Sequence, residues 1–380
     1  MKTLRTAKTG RTYRARSAAA ATLTIGTLVL AACGSGSSSS SSNSAGGSSG
    51  GSSSGTVGVS LILKTLSNPY FVSMQKDAQT QAGKDKVKLT VAAGKTDGDT
   101  QTQISAIDNA ISRGDKGILI TTNGDAVNTE LRKAKQAGIF VIALDTVPNP
   151  SNTVDITYAT DNEEAGKLIG QYAAAKLDGG KAVIAMLDLF NNQVVSVDIN
   201  RDHGFLEGMG IDPGSKTQNG QEAKSGKYTG GKGGSYTVAC HQPTQGAVPG
   251  GKTAMENCLS GNGDINVVYT INEPAADGAL QALQAAGKSD VMVVTIDGSC
   301  KYVNGLLKQG KIAADSAQYP GQMASKGVHT IADLARGGRK PSLPGGKDFI
   351  NTGTALVTAK AISGVDSQTP DKAAPNCWGS

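Results

Sequence analysis

Residues 57–75 read VGVSLILKTLSNPYFVSMQ, and this stretch sets the fold class. Residues 57–63 form a short aliphatic run, which predicts a buried β-strand. From residue 68 apolar side chains such as Phe71 and Met74 recur at helical spacing, which predicts a helix to residue 84. A strand followed closely by a helix is the repeating unit of parallel α/β proteins.

The same alternation continues along the chain. It predicts further strands at residues 87–92, 117–121 and 140–144, and helices at residues 99–112 and 125–137. Successive strand-helix units predict a parallel sheet covered on both faces, because each crossover lays a helix over the sheet.

After a pause at residues 145–158 the alternation resumes. Helices are predicted at residues 162–177, 201–209, 252–260 and 273–286, and strands at residues 182–187, 236–239, 265–269 and 291–296. A Gly- and Lys-rich insertion at residues 216–234 predicts an exposed loop or a ragged hairpin. The sequence therefore predicts two doubly wound α/β lobes, with a ligand cleft between the carboxyl ends of their strands.

The N-terminal region predicts export. Six Lys or Arg residues precede an apolar stretch at residues 18–32, which is too short to span a bilayer as a helix. Small residues Ala31 and Ala32 lead to Cys33, in a pattern that resembles a bacterial lipobox. We therefore interpret residues 1–33 as a lipoprotein signal peptide with Cys33 as the lipidated residue. An ordinary secretory signal is the alternative.

Residues 34–55 are almost entirely Ser and Gly, which predicts a disordered tether. The chain carries 37 basic and 31 acidic residues, and six of the basic ones lie in the leader. The remaining chain is therefore formally neutral, which argues against a nucleic-acid partner.

Four cysteines remain in the body: Cys240, Cys258, Cys300 and Cys377. An even number in an exported protein predicts disulfides, and four cysteines allow three pairings. A metal site is the competing interpretation, but no CxxC spacing occurs and the three histidines are scattered. No cofactor is predicted.

Six separated blocks carry a family resemblance. They are residues 57–75, VIALDT at 141–146, ATDNEEAGKLIG at 159–170, VVYTINEPAADGALQAL at 267–283, SDVMVVTIDG at 289–298 and SAQYPGQMASKGV at 316–328. Together they resemble the type I periplasmic sugar-binding proteins, in particular the ribose- and fructose-binding proteins of ABC importers. The resemblance implies a monomeric, non-enzymatic solute-binding protein that delivers a monosaccharide to an ABC permease and its ATPase at the outer face of the cytoplasmic membrane.

The resemblance also implies the sugar contacts, which fall on Asn68, Tyr70, Phe71, Asp145, Arg201, Asn272, Asp297 and Gln318, with Lys64 and Gln245 as further candidates. Rings suit the apolar face of a sugar, while carboxylates, amides and guanidinium suit its hydroxyls. Lys64 stands where the ribose pattern has serine, and Thr146 where it has arginine. These departures favour a ketohexose or another monosaccharide over ribose.

The resemblance further implies three crossings between the lobes, near residues 160–161, 318–319 and 349–354. Lobe 1 would comprise residues 57–160 plus 319–350, and lobe 2 residues 161–318 plus 351–380. All four body cysteines then fall in lobe 2. Pairing Cys240 with Cys258 and Cys300 with Cys377 would leave the lobes free to close.

Two other functions fit parts of the pattern. Residues 246–253, GAVPGGKT, match the P-loop pattern GxxxxGK[ST], which would indicate a nucleotide-binding enzyme. Export argues against it, because an exported protein meets almost no ATP. An exported sugar sensor that reports to a membrane receptor is the other alternative.

Overall fold

The computed structural model describes residues 56–379. The predicted signal peptide at residues 1–33, its Cys33, and the predicted tether at residues 34–55 lie outside the described residues. Between residues 56 and 379, no helix has the length and apolar character needed to cross a membrane.

The first lobe, called the first half of the body although its α8 and β12 come late in the chain, is built on a six-stranded sheet. Its strand order is β12-β5-β4-β3-β1-β2, and every neighbouring pair is parallel. Its strands are β1 (Val57–Leu63), β2 (Val87–Ala93), β3 (Gly117–Ile120), β4 (Phe140–Leu144), β5 (Ile156–Ala159) and β12 (Ile350–Asn351). Its helices are α1 (Pro69–Lys84), α2 (Thr100–Arg113), α3 (Asn128–Gln136) and α8 (Pro320–Leu334).

Alternation along β1 explains why this sheet is covered on both faces. Leu61 and Leu63 belong to one buried cluster with residues of α1 and α8, whereas Ile62 belongs to another with residues of α2 and α3. Successive strand side chains point to opposite faces, so a continuous apolar run demands helices on both sides.

The second half is built on a seven-stranded sheet in the order β13-β11-β10-β9-β6-β8-β7, antiparallel only at its two edge pairs. Its strands are β6 (Ala182–Asp188), β7 (Ser225–Tyr228), β8 (Gly234–Pro243), β9 (Val267–Thr270), β10 (Met292–Asp297), β11 (Ala314–Ala317) and β13 (Ala355–Val357). Its helices are α4 (Asn162–Leu177), α5 (Ser196–Met209), α6 (Val248–Gly261), α7 (Glu273–Ala285) and the short C-terminal α9 (Pro370–Ala373). The prediction of two α/β lobes is confirmed.

The chain passes between the two sheets three times, in the short connections at residues 160–161, 318–319 and 352–354. Two of these connections are hydrogen-bonded to each other. The Thr352 amide donates to the Ala159 carbonyl at 2.9 Å, and the Thr160 hydroxyl donates to the Gly353 carbonyl at 3.3 Å. Short, adjacent connections of this kind can act as a hinge between rigid lobes.

Two elements differ from the sequence-based prediction, and the predicted hairpin in the insertion is present but less exposed than expected. Residues 145–158, where no strand was predicted, include the start of strand β5. This strand has only four residues, too few to show a periodic pattern in the sequence. Helix α5 begins at Ser196, five residues earlier than predicted, because the β-branched residues in its first turns hide a helical pattern. The insertion at 216–234 is a hairpin strand whose Tyr228 is buried and donates to the Gly180 carbonyl at 2.7 Å.

Both disulfides join the pairs implied by the resemblance. Cys240 on β8 is bonded to Cys258 on α6, and Cys300, just after β10, is bonded to Cys377 near the C-terminus. Each bond therefore links elements of the second half of the body, or ties its C-terminal segment to it.

Helices α4 and α5 lie in direct backbone contact through glycines. A Cβ atom placed on Gly166 of α4 would collide with the Arg201 carbonyl oxygen, and one on Gly204 of α5 would collide with the Glu163 carbonyl oxygen. Only glycine allows so close an approach. The contact fixes the position of Arg201, which proves central to the cleft.

We expect Gly204→Ala to lower the free energy of unfolding by about 1–3 kcal/mol, because the added methyl group forces the two helices apart. Gly83→Ala on α1 is the matched control, since nothing lies within 4 Å of its added Cβ. Urea unfolding measures both variants. Equal stability of the two would contradict the proposed packing of α4 on α5.

Candidate functional site

A cavity lies between the carboxyl ends of the two sheets. It is lined by Lys64, Asn68, Tyr70, Phe71, Asp97, Asp145, Leu189, Val197, Arg201, Ile271, Asn272, Asp297 and Gln318. The structure thus brings together the eight predicted contacts and Lys64. Gln245 lies elsewhere, in the wall of a neighbouring cavity that also contains Trp378.

Arg201 is the cation at the centre of this cavity. Its guanidinium lies 3.9 Å from the Asp145 carboxylate of one sheet and 3.8 Å from the Asp297 carboxylate of the other. It also donates to the Asn162 side chain at 2.8 Å and to the Ile271 carbonyl at 2.9 Å. The side chain is buried and makes no surface ion pair with its sequence neighbours. Arg201 therefore bridges the two lobes.

Asp145 occupies the end of β4 in a left-handed backbone conformation, with φ of 65°. Its carboxylate accepts hydrogen bonds from the Tyr70 hydroxyl at 3.2 Å and the Thr146 hydroxyl at 2.9 Å. The Lys64 ammonium lies 3.7 Å away. The cations Lys64 and Arg201 and the two hydroxyl groups thus hold the buried Asp145 carboxylate in place, where it can accept further hydrogen bonds.

Asp297 occupies the end of β10. Its carboxylate accepts a hydrogen bond from the Gln318 amide at 2.8 Å and one from the Glu273 backbone N–H at 3.4 Å. Burial raises the pKa of Asp297 to about 7, although Arg201 and the Gln318 hydrogen bond act in the opposite direction. This carboxylate therefore changes charge near neutral pH.

Asn68 and Asn272 serve two purposes. Each caps a helix: the Asn68 side chain accepts from the Tyr70 N–H at 2.9 Å, and the Asn272 side chain accepts from the Ala275 N–H at 3.0 Å. Both also line the cavity. A capping asparagine at the mouth of a cleft has a fixed orientation, which suits recognition of a small polar molecule.

The sequence-based prediction missed Asp97 and the apolar wall formed by Leu189, Val197 and Ile271. One carboxylate oxygen of Asp97 is buried without a hydrogen-bond partner among the described residues, and burial raises its pKa. Asp97 lies in the loop after β2, so its place beyond a strand end could have pointed to it. The cavity combines carboxylates, cations and amides with aromatic and aliphatic faces, as sugar binding requires.

Comparison with known proteins identifies the family. A sequence model of the periplasmic binding protein domain matches residues 59–340. The ribose import binding protein of Escherichia coli (strain K12) is 32% identical over 283 residues, which cover 73% of this chain and 85% of that protein. The chain is a type I periplasmic sugar-binding protein. The ribose import binding protein of Bacillus subtilis (strain 168) is 28% identical over 283 residues, covering 74% of this chain and 82% of that protein.

Solved structures show the same sugar-binding-protein fold. An ABC transporter solute-binding protein from Agrobacterium vitis with bound D-fucose superposes with a TM-score of 0.68 at 23% identity, covering 84% of this chain and 99% of that one. A galactofuranose-binding protein gives a TM-score of 0.68 at 21% identity, covering 84% of this chain and 97% of that one.

Membership of this family excludes the enzyme interpretation, because periplasmic sugar-binding proteins serve ABC importers as exported solute-binding proteins. The structure also explains the P-loop match. Helix α6 already begins at Val248, so six of the eight residues of GAVPGGKT are helical, including residues 248–250 that a P-loop would use as its phosphate-binding loop. Lys252 is exposed and lies 3.5 Å from Glu256, one turn further along.

The C-terminal segment of this sugar-binding protein reaches both lobes. Trp378 follows the disulfide-bonded Cys377, and its indole N–H donates to the Asp297 carbonyl at 2.9 Å. Its ring packs edge-on against Tyr70, with centroids 5.4 Å apart, and joins the buried cluster of the first half. The predicted assignment of residues 351–380 to lobe 2 therefore leaves out this contact with the first lobe.

We expect Trp378→Ala to lower the free energy of unfolding by about 3–5 kcal/mol, because it removes a buried ring and one of the two hydrogen bonds to the Asp297 carbonyl. Trp378→Phe keeps most of the ring contact and should cost about 1 kcal/mol through the lost hydrogen bond. Urea unfolding under oxidising conditions measures both. A Trp378→Ala variant as stable as the parent would contradict this role for the C-terminal segment.

Proposed function

We propose that this protein captures a single monosaccharide between its two lobes and delivers it, as a lipid-anchored receptor, to an ABC sugar permease and its ATPase. The observation that carries the proposal is the convergence of Asp145, Arg201 and Asp297 from both lobes on one cavity with aromatic and aliphatic walls. A sugar seated there would contact both lobes at once. It would therefore bind the closed state more tightly than the open state, which is the condition for ligand-driven closure.

A monosaccharide is the cargo that these groups fit. Each carboxylate can accept hydrogen bonds from two hydroxyls, Arg201 donates in a fork, and Asn68, Asn272 and Gln318 provide amides. Relatives support a cargo of this size: the E. coli protein is named for ribose, and two solved relatives contain bound D-allose and bound D-fucose. Lys64, buried against Asp145, adds a donor that favours a ketohexose or another monosaccharide over ribose.

The anchor and tether complete the proposal. A lipid on Cys33 would hold the body at the outer face of the cytoplasmic membrane, and the Ser/Gly segment would let it reach the permease. Metabolic labelling with a fatty acid analogue tests the anchor: we expect label on the parent chain and none on Cys33→Ala.

A thermal-shift screen of the protein against a monosaccharide panel identifies the cargo, and calorimetric titration then measures its affinity. We expect Asp145→Asn and Asp297→Asn each to weaken binding by about 30- to 1000-fold, which corresponds to roughly 2–4 kcal/mol for charge-assisted hydrogen bonds in a buried site.

Asp108→Asn is the matched control for these two variants, since Asp108 is an exposed carboxylate on α2, outside the cavity. It should bind as the parent does. Circular dichroism checks that each variant is folded. Unchanged affinity in both cavity variants would refute the assignment of the site.

The pKa of Asp297, about 7 through burial, predicts a pH dependence of binding. An ionised Asp297 accepts hydrogen bonds from sugar hydroxyls, and protonation removes this acceptor as the pH falls. We expect affinity to be full at pH 8 and lower by about 30-fold at pH 5.5, one and a half units below that pKa. Calorimetric titration at several pH values measures it. Asp297→Asn should bind weakly and almost independently of pH; an equally steep profile in that variant would assign the effect to another group.

A further inference from the structure

A second cluster of ionisable side chains adjoins the sugar cleft in the second half of the body. It consists of Asp188 at the end of β6, Asp202 on α5, His241 on β8, and Glu222 from the predicted insertion. The His241 ring stands between two carboxylates, with Nδ1 at 2.7 Å from Asp188 and Nε2 at 2.8 Å from Glu222. A carboxylate oxygen of Asp202 lies 3.9 Å from the same Nδ1. None of these four residues lines the sugar cavity.

Asp202 is the group that the protein alone leaves unexplained. Its side chain is fully buried, and among the described residues neither of its oxygens has a hydrogen-bond partner. One oxygen of Asp188 and one of Glu222 are buried and unpartnered in the same way. Burying an ionised carboxylate without a partner costs several kcal/mol, so a chain retains a buried carboxyl group only where a cation or a proton compensates its charge.

The groups around this cluster provide too little positive charge to neutralise its carboxylates. Three carboxylates face one imidazole, so the cluster stays negative even when His241 is protonated. The neighbouring Asp198 adds a fourth acidic group, although its oxygens accept the Leu189 and Phe190 N–H groups at 2.9 and 3.1 Å. His203 is hydrogen-bonded to the Gln218 carbonyl at 3.1 Å, and the buried Tyr269 hydroxyl has no partner within the described residues.

The geometry matches a bound cation. One ligand atom each from Asp188, Asp202 and His241 lies within 4.8 Å of the other two. Ligand atoms around a tetrahedral Zn²⁺ ion are about 3.3 Å apart, so the 2.7 Å contact between Asp188 and Nδ1 would lengthen and the wider separations would shorten as the ion enters. Glu222 accepts from the far nitrogen of His241, as carboxylates do behind metal-binding histidines, where they fix the tautomer and the ring orientation.

We propose that Asp188, Asp202 and His241 bind a divalent transition-metal ion, with Zn²⁺ the best match, and that Glu222 orients His241. An imidazole with two carboxylates suits Zn²⁺, whereas Ca²⁺ and Mg²⁺ prefer oxygen ligands alone. The ion would join the end of β6, helix α5, strand β8 and the insertion. It gives the insertion at residues 216–234 a structural role, and it holds the helix that carries Arg201, the residue before Asp202.

Metal titration of the chelator-stripped full chain tests this proposal. We expect one Zn²⁺ per chain, measured by competition with a chromophoric chelator and by elemental analysis, together with a higher unfolding temperature. Asp202→Asn should weaken Zn²⁺ binding by at least about 100-fold, and Glu222→Gln by about 10- to 100-fold. Glu207→Gln, an exposed position on the same helix, should bind Zn²⁺ as the parent does. A crystal of the Zn²⁺ complex should show an anomalous peak between Asp188, Asp202 and His241.

Several results would overturn the proposal. If the stripped parent chain takes up no stoichiometric Zn²⁺ and Asp202→Asn raises the unfolding temperature, Asp188 and Asp202 share a proton instead of a metal ion. Uptake unchanged in both Asp202→Asn and Glu222→Gln would place the ion elsewhere, for example at the exposed His329, 3.2 Å from Asp85. Tighter binding of Ca²⁺ than of Zn²⁺ would contradict an imidazole ligand. If Asp202→Asn fails to fold by circular dichroism, Glu222→Gln decides.

Discussion

Arg201 stands between Asp145 and Asp297, and this buried cation is the contact on which the cleft depends. Two carboxylates that face each other across an interface repel one another when both are ionised, and each is costly to bury. A guanidinium between them attracts both carboxylates and so offsets their repulsion. Its hydrogen bonds to Asn162 and Ile271 keep it in place. The lobes can therefore approach closely while both retain acidic groups for a ligand.

The position of Arg201 depends in turn on packing far from any ligand. Helix α5 can lie against α4 only because Gly166 and Gly204 carry no side chains at their contact. The hairpin around Tyr228 packs in the same buried cluster as this helix pair and supports it at the sheet edge. Glycine packing, the hairpin and a polar cluster thus all act on one helix, which presents the Arg201 guanidinium to the cavity.

Periodicity in the sequence predicted most of the fold, because long aliphatic strands such as β1 and β6 leave a strong signal. It failed where the signal is short or mixed, as at the four-residue β5 and the β-branched start of α5. Eight predicted contacts and Lys64 meet in the cavity, since strand ends and family motifs both point to them. Asp97 belongs to no quoted motif. Gln245 lies outside the six quoted blocks, and Trp378 lies so far along the chain from its partners that only the folded structure connects them.

The C-terminal segment adds a fourth link between the lobes, of a different kind from the three hinge strands. The bond from Cys300 to Cys377 anchors it covalently on one lobe, whereas on the other lobe Trp378 makes non-covalent contacts with Tyr70 and its buried cluster. Separation of the lobes must break that contact, but the disulfide keeps the indole nearby to form it again. A contact that must break on opening and is kept within reach would slow opening, and so would lengthen the residence time of a captured molecule.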